Sequence, residues 1–362
     1  MDKRITRNRP VTISDVARTA QVSKATAARA LGGYGSVSPD AKLRVLEAAR
    51  LLDYRANELA RTMATGRSGT IGVVVGDIEN PFFGLAVRGI SDCAKDAGFD
   101  VILSNSGEDV AAERAAVDVL TAKGVDGIVV APAVMRERAH LQDVLARGRP
   151  LVLLDRDVPG LDADAALVDG KAAAKAATRL LAEAGHRRVA YVTAANAPET
   201  RYTGPSQIAL TTVLNRIAGF LEASVEAGIA EPERYVRLGA KGIPAAQAIM
   251  ADLLTSPDRP TAILASDSRV ALEVLRAAKS LGLAVPGEVS LITFDDADWT
   301  SAIDPAVTVV AQPTYQLGLE AARMLVERIG GARSRPRRYV LEATLIPRDS
   351  VAAPDGGRPQ TR

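Results

Sequence analysis

The 362-residue sequence predicts an α/β protein: a small helical head, then a two-lobed core of two parallel β-sheets flanked by helices. Three observations carry that expectation. From Ser68 onward, apolar runs such as "TIGVVV", "DVILSNS", "DGIVVAP" and "PLVLLD" alternate with helical stretches, as in βα units that build a parallel sheet. Near Val168 the alternation begins again with "RRVAYVTA", "YVRLG", "TAILAS" and "VSLITF", which makes a second sheet and a second lobe. Ahead of both lies a segment with its own charge balance. Up to Arg67 it holds 13 Lys and Arg against 6 acids, a net +7, while the remainder of the chain is −5.

In the head, Thr12 followed by Asp15 is a capping box, so a helix is predicted from Ile13 with Val16, Ala17 and Ala20 on one face. Ser23 offers a second N-cap after only Gln21 and Val22, and the next helix runs to about Leu31 with Ala27, Ala30 and Leu31 inward. Two helices joined by so tight a turn form a helix-turn-helix. Ser23, Lys24, Thr26 and Arg29 are then left on show where a recognition helix meets a major groove. Ser38 as N-cap and Pro39 at the first helical position announce a third helix, with Val45, Leu46, Ala49 and Leu52 as its apolar face. An alanine-rich helical pair is also what ordinary bundle packing looks like, and a solvated surface accounts for the charge as well as a polyanion partner does. After Tyr54, Asn57 caps a segment that Gly66 stops, too short to be a stable helix until a partner orders it.

In open α/β sheets ligands bind beyond the carboxyl ends of the strands. That rule points to Asp77, Ser104 to Ser106, Asp155, Asp267 and Asp295, around a cleft between lobes where the chain crosses back near Gln312. Asp295 or Asp296 serves equally as a turn cap, and Phe82 or Phe83 as core. Other classes are disfavoured. No run approaches the roughly 18 apolar residues that span a bilayer. "MDKRITRNRP" is followed by Val11-Thr12-Ile13-Ser14-Asp15 and not by a signal-peptide core, so the expected compartment is the cytoplasm. One cysteine, Cys93, with His140 and His186 makes no Cys/His metal cage, so no metal is expected. Dinucleotide, Walker and nucleophile-elbow motifs are missing, so neither a cofactor nor an enzyme is expected.

From Val11 to Ser350 the chain resembles the LacI family of bacterial transcription regulators. The blocks that carry the likeness are "VTISDVARTAQVSKATAARAL", "VSPDAKLRVLEAARLLDYRANELARTM", "GTIGVVVGDIENPFFGLAVRGI", "GVDGIVVAP", "GHRRVAYV", "ASDSRVALEVLRAAKSLGLAVPGEVSLITFDD" and "AVTVVAQPTYQLGLEAARML". The resemblance implies a periplasmic-binding-protein-like core behind a helix-turn-helix head and a hinge helix. It implies base reading by Lys24, Ala25 and Arg29, and phosphate contact or capping by Thr12, Ser23, Thr26, Ser38 and Asn57. Met63 stands where an apolar side chain wedges into the central base step. In the core, Asp77, Asn80, Phe82 and Phe83 match a first ligand loop and Asp155 with Arg156 a second. Arg216 matches an arginine that grips a sugar hydroxyl or carboxylate, and Asp267 and Asp295 match acceptors in the second lobe.

The implied domains are residues 1–55, a hinge at 56–67, a core at 68–350 and a disordered tail at 351–362. Lobe 1 would take about 68–167 and 314–335, lobe 2 about 168–313 and 336–350. Gln21, Ala28, Gly32 and Ala56 depart from the family pattern in the head. Thr293 departs in the core, and the stretch between Val192 and Arg216 is longer and more polar than usual. The implied function is a sequence-specific DNA-binding transcription regulator, a repressor, whose operator affinity follows a small ligand, a sugar or sugar derivative, bound between the lobes. Its partners would be pseudo-palindromic operator DNA, a carbohydrate effector and a second copy in a homodimer, with no membrane. A ligand-independent DNA binder and a sugar-binding protein without a regulatory role are the alternatives.

Overall fold

The computed structural model describes residues 11–32, 35–54, 67–197 and 199–354, and the chain divides into two compact units between Gly69 and Thr70. In the head, α1 (Ile13–Thr19), α2 (Lys24–Gly32) and α3 (Pro39–Leu51) close a core of small side chains, among them Val16, Ala20, Ala27, Ala30, Val45 and Ala48. The Asp15 carboxylate accepts the Thr12 backbone N–H at 2.9 Å and its hydroxyl at 2.6 Å. Ser38 Oγ accepts the Ala41 N–H at 3.3 Å behind Pro39. Caps of this kind contribute about 1 kcal/mol each. Gln21 takes φ +55°, so the turn keeps its left-handed geometry without glycine, at a strain on the order of 1 kcal/mol. Leu46 is 46% exposed, contrary to expectation. The inward positions of α3 are Ala41, Val45, Ala48 and Ala49, and Leu46 falls one residue, about 100°, past that stripe.

In the body, β1 (Thr70–Val75), β2 (Asp100–Asn105), β3 (Gly127–Val130), β4 (Leu151–Leu154), β5 (Asp164–Val168) and β11 (Arg338–Leu341) form one sheet. Its order is β11-β5-β4-β3-β1-β2, and all its pairs are parallel. The second sheet contains β6 (Val189–Val192), β7 (Val236–Arg237), β8 (Ala262–Ala265), β9 (Ser290–Phe294), β10 (Thr308–Ala311) and β12 (Thr344–Ile346), in the order β12-β10-β9-β8-β6-β7. Only β12 runs antiparallel, against β10. Strands β3, β4, β6, β8 and β9 are buried at every residue, which is why their sequences read as continuous apolar runs. Helices Pro81–Asp96 and Thr314–Ile329 lie backbone to backbone on the first sheet. A Cβ on Gly318 would stand 1.9 Å from the Ala86 carbonyl oxygen, so only glycine fits there.

One expected boundary is overturned. Residues 336–350 do not all join the second lobe: Arg338–Leu341 pairs with β5 in the first sheet, and Thr344–Ile346 alone joins the second. An exposed edge strand of four residues carries too little apolar alternation to announce its sheet. Among the described residues the chain therefore crosses between lobes three times, near residues 169, 312 and 342. Nor is the start of the tail loose. Ala352 donates its N–H to Ser290 Oγ and accepts from that hydroxyl, which ties the segment to the second lobe, and residues 355–362 lie outside the described residues. No helix among the described residues is long and apolar enough to cross a membrane.

Candidate functional site

On the head, α2 presents Lys24, Ala25 and Arg29 to solvent. Ser23 Oγ accepts the Thr26 N–H at 3.1 Å and lies 2.8 Å from the Thr26 hydroxyl, so these two side chains are engaged with each other at the helix start. Thr12 and Ser38 are likewise engaged in capping. Arginine 18 pairs with Asp15 and Arg44 with Asp40, but among the described residues Lys24 and Arg29 have no acidic partner. A Cβ on Gly35 would stand 2.9 Å from Arg29 Cδ, so the aliphatic stem of Arg29 lies along that glycine and only its guanidinium is left to reach outward. Asn57 and Met63 lie outside the described residues.

The carboxyl ends of both sheets open into one cleft of about 650 Å³, within the range of small-molecule sites. All nine core residues that the family resemblance matched to the ligand site line it, whereas Ser104 to Ser106, named by the strand-end rule, do not. From the first lobe, Asp77, Asn80, Phe82 and Phe83 follow β1, while Asp155 and Arg156 follow β4. Arg216 from helix Thr211–Glu226, Asp267 after β8 and Asp295 after β9 face them from the second lobe. Asn80 Oδ1 accepts the Phe82 N–H at 3.0 Å, which with Pro81 starts a helix at the cleft wall. Phe82 and Phe83, 5.3 Å apart edge to face, belong to the first-lobe core and to the wall at once. Asp155 and Asp295 hold φ +66° and +71°, a left-handed turn that aspartate tolerates better than most residues.

Arginine chemistry in the cleft is largely internal. Arg156 is gripped by Glu108 at 2.5 and 2.7 Å and also reaches the Pro132 carbonyl at 3.0 Å. Burial works against its charge, yet Glu108 holds its pKa above the usual arginine value. Gly76 makes that grip possible, since a Cβ there would stand 2.2 Å from Glu108 Oε1. Arg216 donates to the Ser266 carbonyl at 2.9 Å and to Gln312 Oε1 at 3.0 Å, with its guanidinium 4.0 Å over the Phe294 ring. It thereby links the second lobe to the crossing segment.

The carboxylates differ. Burial raises the pKa of Asp155, with Arg156 and Arg216 opposing. Burial likewise pushes Asp295 up to about 6 against the pull of Arg216 and of Gln312 Nε2, which donates to Asp295 Oδ1 at 2.6 Å. Asp267 caps the helix Ser268–Leu281, accepting the Arg269 and Val270 N–H groups at 3.0 Å and the Ser266 hydroxyl at 2.8 Å.

Several residues escaped the sequence reading. Ser106 is 3% exposed and bonds the Val75 carbonyl, so the strand-end rule was one loop early: Gly107 to Val110 line the cleft instead. Arg269 reaches across the mouth to Asp77 at 2.7 Å and Glu79 at 3.5 Å, and Lys241 reaches the Gly107 carbonyl at 3.1 Å, so second-lobe cations bridge to the first lobe. Thr212, unplaced by sequence, lines the cleft, and its neighbour Thr211 accepts the Asp157 N–H at 2.9 Å through its hydroxyl.

Comparisons with known proteins agree with this geometry. Residues 12–57 match the family described as bacterial regulatory proteins, lacI family, and residues 178–351 match the periplasmic binding protein-like domain. The sequence is similar to the HTH-type transcriptional regulator GalS of Salmonella typhimurium, 32% identical over 94% of this chain and 97% of that protein. Among solved structures it is similar to a transcriptional regulator CelR–cellobiose complex, 29% identical, covering 94% of this chain and 99% of the other with a TM-score of 0.68. In fold it is similar to the lac repressor dimer bound to operator and the anti-inducer ONPF, with a TM-score of 0.81 at 24% identity over 95% of this chain and 100% of that one.

Proposed function

The chain belongs to the lacI family of bacterial regulatory proteins and is a DNA-binding transcriptional regulator, not an enzyme; from that premise we propose that its cleft binds a small carbohydrate and that occupancy sets the affinity of the head for operator DNA. The observation that carries the reading is the convergence of nine side chains from both lobes on one cleft, with Arg216 and Gln312 tied together where the chain crosses between them. Hydroxyls both donate and accept, which suits facing carboxylates and amides, and aromatic faces such as Phe82 and Phe83 cover apolar ring surfaces. The solved relative that carries cellobiose supports a carbohydrate ligand.

A ligand that touches both lobes favours one lobe arrangement by the difference in its affinity for the two. Two heads in a homodimer would read a pseudo-palindromic site with half-sites about one helical turn apart, using Lys24, Ala25 and Arg29 in the major groove. Repression is the expected outcome at the promoter, and the cytoplasm the expected compartment. The test is thermal unfolding of the full-length protein against uncharged mono- and disaccharides, cellobiose included, because a ligand of the native state raises Tm by mass action. A saturable rise that Asp155→Asn diminishes is expected. A rise that persists undiminished in Asp155→Asn places the ligand elsewhere.

A further inference from the structure

Eight carboxylates line the cleft against three arginines and one lysine. The terminal nitrogens of each guanidinium along its wall are already held: Arg156 by both oxygens of Glu108, Arg269 by Asp77 and Glu79, and Arg216 by a carbonyl, an amide oxygen and the Phe294 face, while the buried Nε of Arg156 and of Arg216 has no hydrogen-bond partner among the described residues. Lys241 is turned to a carbonyl at the mouth. An incoming anion would therefore find no open guanidinium fork, the geometry that binds phosphate or carboxylate best. Asp155 and Glu273 are 7% and 6% exposed; each has an ion pair, with Arg156 at 3.6 Å and with Arg276 at 2.5 Å, yet among the described residues Asp155 Oδ1 and Glu273 Oε2 have no hydrogen-bond partner. Neither Asp267 nor Asp295 has a cation as hydrogen-bond partner among the described residues: Asp267 takes a hydroxyl and two backbone N–H groups, and Asp295 an amide. Buried acceptors left unpaired cost free energy that a donor-bearing ligand recovers.

We propose that the cleft is built for a ligand that donates hydrogen bonds and carries no negative charge, so that uncharged sugars and their amino derivatives enter while phosphorylated and carboxylated sugars are turned away. This inference rests on the carbohydrate reading above and adds the charge class to it. Like charges a few ångströms to 8 Å apart at the effective dielectric of such a site repel by enough to weaken an anion roughly tenfold or more against its uncharged parent.

The test takes the full-length protein through thermal unfolding with inorganic phosphate at matched ionic strength. It then uses matched sets on one skeleton: glucose, glucosamine, glucose 6-phosphate and gluconate, with ribose and ribose 5-phosphate alongside. Phosphate should give no saturable rise in Tm, and any anionic member should bind at least tenfold more weakly than its parent, a gap that Asp295→Asn narrows. A saturable rise with phosphate that is lost in Arg216→Gln, or an anionic member that binds more tightly than its parent, overturns the inference. If no sugar of any charge binds, the carbohydrate reading fails, and the charge selection is then decided by the phosphate arm alone: silence upholds it and a rise sinks it.

Discussion

On α2 of the head, Lys24 and Arg29 stand exposed without acidic partners among the described residues, whereas in the cleft of the body each guanidinium has an acceptor on its terminal nitrogens and carboxylates outnumber cations eight to four. Both surfaces use arginine, but they use it differently. Among the described residues Arg29 has no acidic partner, and its stem is steadied against Gly35. Arg156 and Arg216 are structural, fixing Glu108 and the crossing residue Gln312 so that Asp155 and Asp295 face the cavity in one geometry. A surface that must meet DNA phosphates gains from unpaired cations, because counterion release supplies much of the affinity. An enclosed site that must recognise hydroxyls gains from fixed acceptors.

Arg156→Ala leaves Glu108 unpaired beneath Gly76 and should cost about 3–5 kcal/mol in urea unfolding, as removal of one partner of a buried pair does. A loss under 1 kcal/mol would show that the pair is solvated and not structural. Next, Arg29→Ala should weaken binding to a duplex selected from a random pool by about 1–3 kcal/mol and leave unfolding unchanged. Fluorescence anisotropy with equal affinity for variant and wild type would remove Arg29 from the DNA surface.

A third prediction concerns pH. The folded-state pKa of Asp295, about 6, stands above the ordinary 3.8, so the native chain holds this proton more tightly than the unfolded one. The buried charge therefore weighs on stability above pH 6, and the load lifts as pH falls from 6 toward 4. Asp295→Asn should then raise stability by about 1–2 kcal/mol at pH 8, with the gain fading below pH 6. A gain independent of pH would point to a packing effect. Smallest of all, Arg269→Ala breaks a half-exposed bridge to Asp77 and should change unfolding by less than about 1 kcal/mol. A larger loss would mean that the bridge holds the lobes together in the free protein.

Much of the site was legible because strand ends and helix starts leave marks in sequence. Asp155, Asp267 and Asp295 each follow a run of apolar residues, and such positions point into the cleft whatever the ligand. Ser38-Pro39 declared its helix through capping chemistry alone. What escaped depends on contacts distant in sequence. Glu108 matters because its carboxylate reaches Arg156, 48 residues away, through space that Gly76 leaves open. Arg269 bridges to Asp77 across 192 residues. Strand β11 was misassigned because β5, its one strand neighbour among the described residues, decides its lobe, and nothing local in Arg338–Leu341 records that pairing.

On the proposed function, occupancy of the cleft sets the affinity of the head for DNA. Its most direct test is fluorescence anisotropy of the full-length protein on the selected duplex, with and without the sugar that raises Tm, in wild type and in Asp155→Asn. Wild type should show at least about a fivefold change in affinity, the lower end of ordinary allosteric coupling, and the variant a much smaller change at the same sugar concentration. An affinity that the bound sugar leaves unchanged in wild type would contradict it.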